Sequence, residues 1–482
     1  MIHDWKMGLY WRLPVFLQEA ALSLYARRLD RLYYGDGYEG WREKFDEWRS
    51  WSRREAKIWQ DLQLQTIIGL AAKHVPFYRE KWRKIDWKSV RSAKDLHILP
   101  LLDKQAIRQN ESNFLVEGLS PRSLWLEKTS GTTGTSLRIY WSTSTLPKWS
   151  AVKEVMIRNA IGVGNDQPRV MMGGRPLVPG NTNKPPYWRY NRYWKQLYLS
   201  SYHVSRSTAK DYAEAIRDHG SEWITGYGSA IAALADCALE IGIQPVSLRT
   251  ALVSGDTLLP VMRSSIENFF RCNCFDHYGQ AEGVAMAMEC THGKMHTIPG
   301  VGIWEILRED GSPCTPGEIG EIAATGLIND AMPLVRYRLG DYAAWAKDQS
   351  CPCGNQQPVI TDLEGRVDDY LVTSDGRRIG RLSTAIKRSP TIHSAQIVQD
   401  RPGHAYLLVR PGEGYRSADA AAVRDDILER IGVFDLGVIE VTEIPKTQQG
   451  KAILVIRLAD RPELREIYKQ FLKREGALKT AV

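Results

Sequence analysis

Hydrophobic and polar positions follow two different periods along the chain. Over the first hundred residues, large apolar side chains recur at helical spacing between arginines and glutamates, most clearly at 55–73. Residues 1–100 are therefore predicted to be mainly helical. Between residues 120 and 345, short apolar and β-branched runs, such as 223–225 and 250–253, alternate with helical segments. This alternation predicts layered α/β structure.

The pattern changes near residue 365. Beyond it, four short hydrophobic runs surround one helical segment at 420–431. A stretch of about 115 residues is long enough to fold as a unit of its own. We therefore predict a large α/β domain over 1–367 and a smaller, mobile α+β domain over 368–482.

The N-terminal region is rich in aromatic residues, since six of the 16 tryptophans lie in the first 60 residues. It is interpreted as a helical cap packed on a core, or alternatively as a surface that binds a partner or a membrane. Residues 13–25 are amphipathic, contain Gln18 and Glu19, and lack a small-residue cleavage site, which favours a helix over a signal peptide. No run approaches the roughly 20 apolar residues of a membrane span.

Composition and charge change this picture only slightly. The 482 residues are 43% hydrophobic and 25% charged, which is typical of globular proteins and excludes collagen-like or wholly disordered chains. The net charge of +8 suits anionic substrates such as nucleotides. Because Lys and Arg are interleaved with acids, no nucleic-acid partner is expected. The odd count of 7 cysteines indicates reduced thiols in the cytoplasm, or a metal site.

One loop has a composition suited to phosphate binding. Residues 128–136 read Lys-Thr-Ser-Gly-Thr-Thr-Gly-Thr-Ser and precede a predicted strand at 137–141. Glycines let successive backbone N–H groups point into one concavity, and hydroxyls add short-range donors. The loop lacks the Gly-Lys-Ser/Thr of a Walker A motif. By composition alone, it is equally compatible with an ordinary Ser/Thr/Gly turn.

Further motifs follow this loop in a recognisable order. They are Tyr-Gly-Gln-Ala-Glu at 278–282, Tyr-Arg-Leu-Gly-Asp at 337–341, Gly-Arg-Val-Asp-Asp at 365–369 and Gln-Gly-Lys at 449–451. With this order of motifs, the chain resembles the adenylate-forming superfamily of acyl- and aryl-CoA ligases, in its phenylacetate–CoA ligase and CapK-like branch. The resemblance implies a large adenylation domain followed by a small mobile domain.

The resemblance also implies a two-step reaction. ATP would activate a carboxylic acid as an acyl-adenylate, and the acyl group would then pass to CoA. The alternative acceptor is an amine or a carrier protein, possibly in surface polysaccharide biosynthesis. A different class, a non-catalytic binding protein, would fit the basic charge and the N-terminal aromatics.

The resemblance assigns roles to individual residues. Lys451, Glu282 and Thr133 would be catalytic, with Glu282 holding Mg²⁺ and Lys451 stabilising the adenylation transition state. Asp341 would accept hydrogen bonds from the ribose hydroxyls, and Asp368 would be the hinge between the domains. The implied ATP- or AMP-binding residues are Ser130, Gly131, Thr132, Thr133, Gly134, Gly255, Asp256, Tyr278, Gly279, Gln280, Asp341 and Arg366.

A substrate pocket is implied around Tyr227, Gly228, Ser229 and His277. These residues have simpler interpretations, because Gly and Ser also form turns and a lone histidine is often structural. Ser229 is in addition a candidate N-cap for a helix at 229–242.

A metal site is indicated by cysteines and histidines in two segments. Cys290 precedes His292 and His296, and Cys351-Pro-Cys353-Gly follows later. Thiolate and imidazole ligands suit tetrahedral zinc. By resemblance to members of the branch with a structural zinc, the ligands would be Cys290, His296, Cys351 and Cys353, with His292 as a substitute. The competing interpretation is free thiols and surface histidines.

Overall fold

The computed structural model describes most of the chain in α/β form. It describes residues 4–128, 137–175, 177–179, 182–364, 371–374, 378–379, 382, 385–386, 389, 391–431, 433–445 and 453–474. The mixed α/β class predicted from the sequence is confirmed. The proposed domain boundary at 367/368 lies outside the described residues and stays a prediction.

Helices cover most of the first hundred described residues and then alternate with strands. The longest of them has Ser52 as its N-cap. The Ser52 side chain accepts a hydrogen bond from the Glu55 backbone, and the Glu55 side chain accepts one from the Ser52 backbone. The helices are Asp4–Arg12 (α1), Val15–Tyr33 (α2), Tyr38–Asp46 (α3), Arg53–His74 (α4), Pro76–Lys81 (α5), Lys104–Gln109 (α6), Leu146–Ile161 (α7), Ala209–His219 (α8), Gly228–Glu240 (α9), Pro260–Phe270 (α10), Ser417–Ile431 (α11) and Pro462–Arg474 (α12).

The strands form one large sheet and three smaller ones among the described residues. They are Leu124–Lys128 (β1), Arg138–Ser142 (β2), Arg169–Gly173 (β3), Trp188–Asn191 (β4), Gln196–Ser200 (β5), Trp223–Gly226 (β6), Thr250–Ser254 (β7), Asn273–Gly279 (β8), Met286–Glu289 (β9), Met295–Thr297 (β10), Gly302–Leu307 (β11), Ile319–Gly326 (β12), Tyr337–Trp345 (β13), Val359–Glu364 (β14), Leu371–Val372 (β15), Arg378–Ile379 (β16), Ile392–Arg401 (β17), His404–Pro411 (β18), Asp435–Glu440 (β19) and Val455–Arg457 (β20).

The large sheet has a parallel half and an antiparallel half. Its order is β11-β12-β13-β14-β10-β9-β8-β7-β6-β3-β5-β4. Strands β8, β7, β6, β3 and β5 are parallel neighbours, with α9 following β6 and α10 following β7. The remaining pairs are antiparallel. Since ligands of α/β sheets bind beyond the carboxyl ends of parallel strands, the loops after β6, β7 and β8 are the natural place for a site.

The antiparallel half folds back over the segment that follows β8. A Cβ atom at Gly302 on β11 would lie 1.8 Å from the carbonyl oxygen of Val284, and one at Gly326 on β12 would lie 3.0 Å from Val284 Cγ1. Gly302 is therefore required for this close approach, whereas a side chain at position 326 would need Val284 to shift slightly. The folding brings β13 near β8 although three strands separate them in the sheet order.

Helix α2 covers the edge strand β4. The backbone N–H of Tyr190 donates to Glu19 Oε1 at 3.0 Å, and that of Arg192 donates to Ser23 Oγ at 3.1 Å. The Arg189 guanidinium donates to buried Gln18 at 2.6 Å. The polar side chains on this side of α2 thus satisfy backbone donors that an open sheet edge would leave unpaired.

The C-terminal region forms a separate sheet with the order β19-β18-β17-β20, and α11 connects β18 to β19. It packs against the helices of the large sheet. His393 on β17 pairs with Asp236 on α9, and Arg410 lies 3.3 Å from Glu240 at the end of the same helix.

The helices and strands predicted from the sequence are present, although several of their ends differ from the prediction. Helix α9 begins at Gly228 with Tyr227 in the N-cap position, so the prediction that Ser229 is the N-cap is wrong. No helix in the described part of the chain has the length and apolarity required to cross a membrane.

Candidate active site

Two tyrosine–carboxylate hydrogen bonds join the motif after β8 to strand β13. The Tyr278 hydroxyl donates to Asp341 Oδ2 at 2.6 Å. The Tyr337 hydroxyl donates to Glu282 Oε1 at 3.0 Å. Each motif contributes one tyrosine and one acid, so the pairing is reciprocal. The structure therefore brings Glu282 and Asp341 into one cluster, although 59 positions separate them in the chain (341 − 282).

Glu282 is buried, and only one of its two carboxylate oxygens has a hydrogen-bond partner among the described residues. Its side chain is 3% exposed, and Oε2 has no hydrogen-bond partner among the described residues. An unpaired buried carboxylate oxygen is costly, and such atoms in a folded protein call for an explanation. A hard cation prefers carboxylate oxygens, so the residues present fit a Mg²⁺ ligand at this position.

The turn that carries Glu282 is held by short-range contacts. The side-chain amide of Gln280 lies against the backbone N–H and C=O of Ala285. Gly283 has φ +63°, and a Cβ atom there would lie 2.5 Å from the ring of Trp141. Trp141 lies on β2, which follows the Ser/Thr/Gly loop in the chain, and its ring stacks on Trp149 of α7 at 5.0 Å. The strand after the loop therefore packs directly on the Glu282 turn.

Asp256, in the loop after β7, accepts hydrogen bonds from the first residues of α9, which follow β6. Its Oδ1 accepts from the Gly228 N–H at 2.8 Å, and its Oδ2 accepts from the Ser229 N–H at 3.1 Å. The Ser229 hydroxyl also donates to Oδ2. A carboxylate on the first N–H groups of a helix caps it and interacts favourably with its dipole. Asp256 thus acts as the N-terminal cap that the sequence suggested for Ser229.

Gly255 makes this arrangement possible, because its φ of +82° is unfavourable for other residues. Tyr227 stands before α9, and its backbone N–H donates to the Met172 carbonyl at 2.9 Å. Burial raises the pKa of the Tyr227 hydroxyl, and the negative charge of Asp256 adds to this effect. The predicted pocket residues and the predicted nucleotide residues therefore meet at one sheet edge.

His277 lies on β8 beside the end of β7, where it is the register partner of Ser254. Its Nε2 is buried with no hydrogen-bond partner in the described ranges. Burial, together with a smaller effect of the positive charge of Lys153, lowers the pKa of His277 to about 4. The imidazole is therefore neutral at pH 7. Gly279 lies close to this ring, since a Cβ atom there would be 3.2 Å from His277 Cε1.

Several predicted residues lie outside the described ranges. They are Ser130, Gly131, Thr132, Thr133, Gly134, Arg366, Asp368 and Lys451. The roles assigned to them stay predictions.

The predicted zinc ligands lie together. The ligand atoms of Cys290, His296, Cys351 and Cys353 are all within 4.8 Å of one another. Cys290 Sγ is 3.6 Å from Cys351 Sγ, and Cys353 Sγ is 3.5 Å from His296 Nε2. The proposed substitute His292 lies on an exposed turn and is not part of this group.

These distances fit a tetrahedral zinc ion. With Zn–S bonds of about 2.3 Å and Zn–N bonds of about 2.0–2.1 Å, tetrahedral angles give S···S separations of about 3.8 Å and S···N separations of about 3.5 Å. A disulfide would need sulfurs at about 2.05 Å. His296 Nδ1 faces the Gln357 carbonyl oxygen at 3.0 Å, so Nδ1–H is the donor and Nε2 is left as the ligand atom. The Asn355 N–H also points at Cys353 Sγ, at 3.4 Å.

Three neighbours of the site were not assigned a role by the sequence. Tyr337 is the first residue of the motif that ends in Asp341. Its hydrogen bond to Glu282 could not be predicted, because it depends on how the sheet folds. Trp304 on β11 lies 5.5 Å from the Tyr278 ring, and Lys153 on α7 lies 5.0 Å from the Trp149 ring. The sequence pattern did not single out α7, so it gave no signal for Lys153.

Comparisons with known proteins find relatives by sequence and by structure. No family model matches the chain. The chain is 25% identical over 403 residues to protein CapK of Staphylococcus aureus, covering 81% of this chain and 87% of CapK. It is 26% identical over 346 residues to the phenylacetate–coenzyme A ligase of Escherichia coli strain K12, covering 68% and 75% of the two chains.

A solved structure has the same fold. The crystal structure of a 2-hydroxyisobutyryl-CoA ligase in the postadenylation state, in complex with R3-HIB-AMP, matches with a TM-score of 0.64 and 18% identity. The match covers 88% of this chain and 94% of that chain.

Proposed function

Because the chain is a member of the phenylacetate–CoA ligase and CapK-like branch of the adenylate-forming enzymes, we propose that it is an AMP-forming carboxylic acid–CoA ligase. The observation that supports this most directly is the reciprocal pairing of Tyr278 with Asp341 and of Tyr337 with Glu282. It joins two acids to which the branch gives separate tasks, one toward phosphate and one toward ribose.

The reaction has two halves. An oxygen of the substrate carboxylate bonds to the α-phosphorus of ATP, the bond from that phosphorus to the bridging oxygen breaks, and pyrophosphate leaves. The CoA thiolate then bonds to the acyl carbon, and AMP leaves. The first half is necessary because a free carboxylate has no good leaving group. The protein must position the reactants and offset phosphate charge.

Glu282 and Asp341 act on different parts of the nucleotide: Glu282 acts on the phosphates and Asp341 on the ribose. Mg²⁺ would offset charge on the phosphates. Glu282 offers its unpaired Oε2 to this ion while Tyr337 holds Oε1. Asp341 accepts from the ribose hydroxyls, with its orientation fixed by Tyr278. Gly279 and Gln280 belong to the same turn and would lie along the nucleotide.

Predicted residues outside the described ranges complete this proposal. The hydroxyls of Ser130, Thr132 and Thr133 would bind phosphate oxygens, and Arg366 would add a fixed positive charge near the ribose or phosphates. Lys451 would enter for the adenylation step as a point charge. Asp368 would be the hinge between the two half-reactions.

The acyl pocket is proposed beside the loops after β6 and β8. Tyr227, Gly228 and Ser229 would form one wall, and His277 the other. The neutral imidazole of His277 can donate or accept one hydrogen bond, but it carries no charge to neutralise a carboxylate. Neutralisation of the substrate is therefore left to other groups.

The Cys290–His296–Cys351–Cys353 cluster is proposed to hold a structural zinc ion. Four protein ligands would fill a tetrahedral shell and leave no open position for chemistry. The ion would tie Cys290 after β9 and His296 on β10 to the segment between β13 and β14, and so fix the region after the Glu282 turn relative to β13, which carries Asp341.

The test is pyrophosphate release from ATP over a panel of aryl, fatty and hydroxy acids. A hydroxamate assay without CoA should detect the acyl-adenylate for the preferred acid, and mass spectrometry with CoA should find the thioester. An adduct with an amine or a carrier protein instead would favour the alternative acceptor. Failure of the protein to bind ATP by calorimetry would overturn the proposal in favour of a non-catalytic binding protein. Since ATP and CoA are cytoplasmic metabolites, the proposed reaction belongs in the cytoplasm.

A further inference from the structure

Exposed large apolar side chains are concentrated at the N-terminus. Five of the twelve found among the described residues are Leu9, Trp11, Phe16, Leu17 and Leu24, within a span of sixteen positions. Phe16 is 68% exposed and Leu24 is 69% exposed. Isolated exposed apolar residues are normal, but a group of this kind on two consecutive helices indicates an interaction surface.

Three of the five, Phe16, Leu17 and Leu24, belong to a single face of α2. Counted in residues from Phe16, the exposed positions of this helix are 0, 1, 4, 5, 8, 11, 12 and 15. This spacing places them on one side of the helix. We name this side the α2 outer face. Its residues are Phe16, Leu17, Ala20, Ala21, Leu24, Arg27, Arg28 and Arg31. Five apolar residues are followed by three arginines over about 23 Å of helix.

Neither acid of α2 belongs to the outer face, because both are bonded to β4 and the turn that follows it. Glu19 accepts the backbone N–H of Tyr190, and Asp30 accepts from the side chains of Tyr193 and Trp194, each at 3.0 Å. Because Glu19 and Asp30 bond to β4 and the turn after it, neither adds negative charge to the outer face. In the described part of the chain, its three arginines form no ion pair. The outer face is therefore apolar and positive only.

This combination matches one kind of partner by charge complementarity. An interfacial amphipathic helix buries its apolar side chains at the boundary of headgroups and acyl chains, while its basic residues meet lipid phosphates. We infer that the α2 outer face, extended by Leu9 and Trp11 of α1, docks this protein on a membrane surface that contains anionic lipid. This binding goes beyond the proposed ligase activity and does not depend on it.

The test is flotation of the full-length protein with phosphatidylcholine vesicles, with and without phosphatidylglycerol. The wild type should float with the anionic vesicles, and less so as salt rises from about 0.1 M to about 0.5 M, because screening weakens the arginine contribution. The variant Phe16→Glu/Leu24→Glu and the variant Arg27→Gln/Arg28→Gln should each lower the partition coefficient at least about tenfold. Pyrophosphate release in solution should be unchanged.

Matched controls keep the test specific. Val433→Glu changes an apolar side chain that is 90% exposed outside the outer face. Arg83→Gln/Lys84→Gln removes two exposed positive charges after α5. Both controls should float like the wild type. If the apolar variant fails to fold by circular dichroism, the arginine variant alone decides the result.

Three outcomes would overturn the inference. The wild type could stay unbound to anionic vesicles, or the outer-face variants could bind as well as the controls. Light scattering could also show a dimer that Phe16→Glu/Leu24→Glu converts to a monomer without any lipid binding, which would assign the face to a second copy of the chain.

Discussion

Replacement of Glu282 by Gln should separate stability from activity, because the two oxygens of this side chain have different surroundings. Gln keeps an oxygen for the Tyr337 hydroxyl, so the 3.0 Å hydrogen bond survives. Its amide group takes the place of Oε2, which has no partner to lose among the described residues. One unpaired buried group replaces another, so the free energy of unfolding without ligand should change by less than about 1 kcal/mol.

The adenylation step should respond very differently. Loss of the metal-binding oxygen removes several kcal/mol of charge stabilisation, and we expect pyrophosphate exchange to fall about 10²–10³-fold, or about 3–4 kcal/mol in the barrier. Saturation with Mg-ATP at about one hundred times Kd should stabilise the wild type by about 2.7 kcal/mol. The variant should gain much less, which thermal unfolding with and without Mg-ATP will measure.

Glu289→Gln is the matched control. Glu289 is also a buried acid, but it accepts two hydrogen bonds from Arg263 and one from the Asp276 backbone. This variant should lose about 1–3 kcal/mol of stability and keep its response to Mg-ATP. If Glu282→Gln destabilised the apo protein as much as Glu289→Gln does, or exchanged pyrophosphate at the wild-type rate, the assignment of Oε2 to a metal ion would be refuted.

Three further predictions concern other parts of the chain. Elemental analysis should find one zinc ion per chain, lost in Cys351→Ser with a fall in thermal stability and retained in Cys272→Ser; zinc-free wild type would contradict the site. Lys451→Ala should reduce pyrophosphate exchange by several orders of magnitude while a supplied acyl-adenylate still reacts with CoA, and an unchanged exchange rate would reject the role. The pKa of His277 is about 4 in the folded chain, against an ordinary histidine value of 6.5, so the unfolded chain binds the extra proton between these values and stability falls as pH drops through them. His277→Gln should remove about 2 kcal/mol of the loss between pH 7 and pH 5, measured by urea unfolding, and an equal loss in both proteins would count against this environment.

The sequence predicts well what depends on local pattern. Strands such as β6 and β7 and the helical N-terminal region follow from apolar periodicity, and the strand after the Ser/Thr/Gly loop is confirmed as β2. Local chemistry was sufficient for these elements. The four proposed zinc ligands also lie together, as the resemblance to members of the branch with a structural zinc implied.

Contacts between segments that lie far apart in the chain could not be predicted from the sequence. The partner of Glu282 is Tyr337, 55 positions away, and the two meet because the antiparallel half of the sheet folds back over the segment that follows β8. Likewise Asp256 was assigned to nucleotide binding by its position in a motif, whereas the structure uses its carboxylate to cap α9. A strand order that departs from chain order cannot be deduced from periodicity.

The way α2 covers β4 has a consequence for truncated forms of this protein. A chain that starts after residue 33 would keep the large sheet but expose the backbone N–H groups of Tyr190 and Arg192, together with the Arg189 side chain that now meets Gln18. Unpaired donors along a terminal strand are a template for strand addition from another molecule. Such a fragment should aggregate through its sheets even though every proposed catalytic residue is still present.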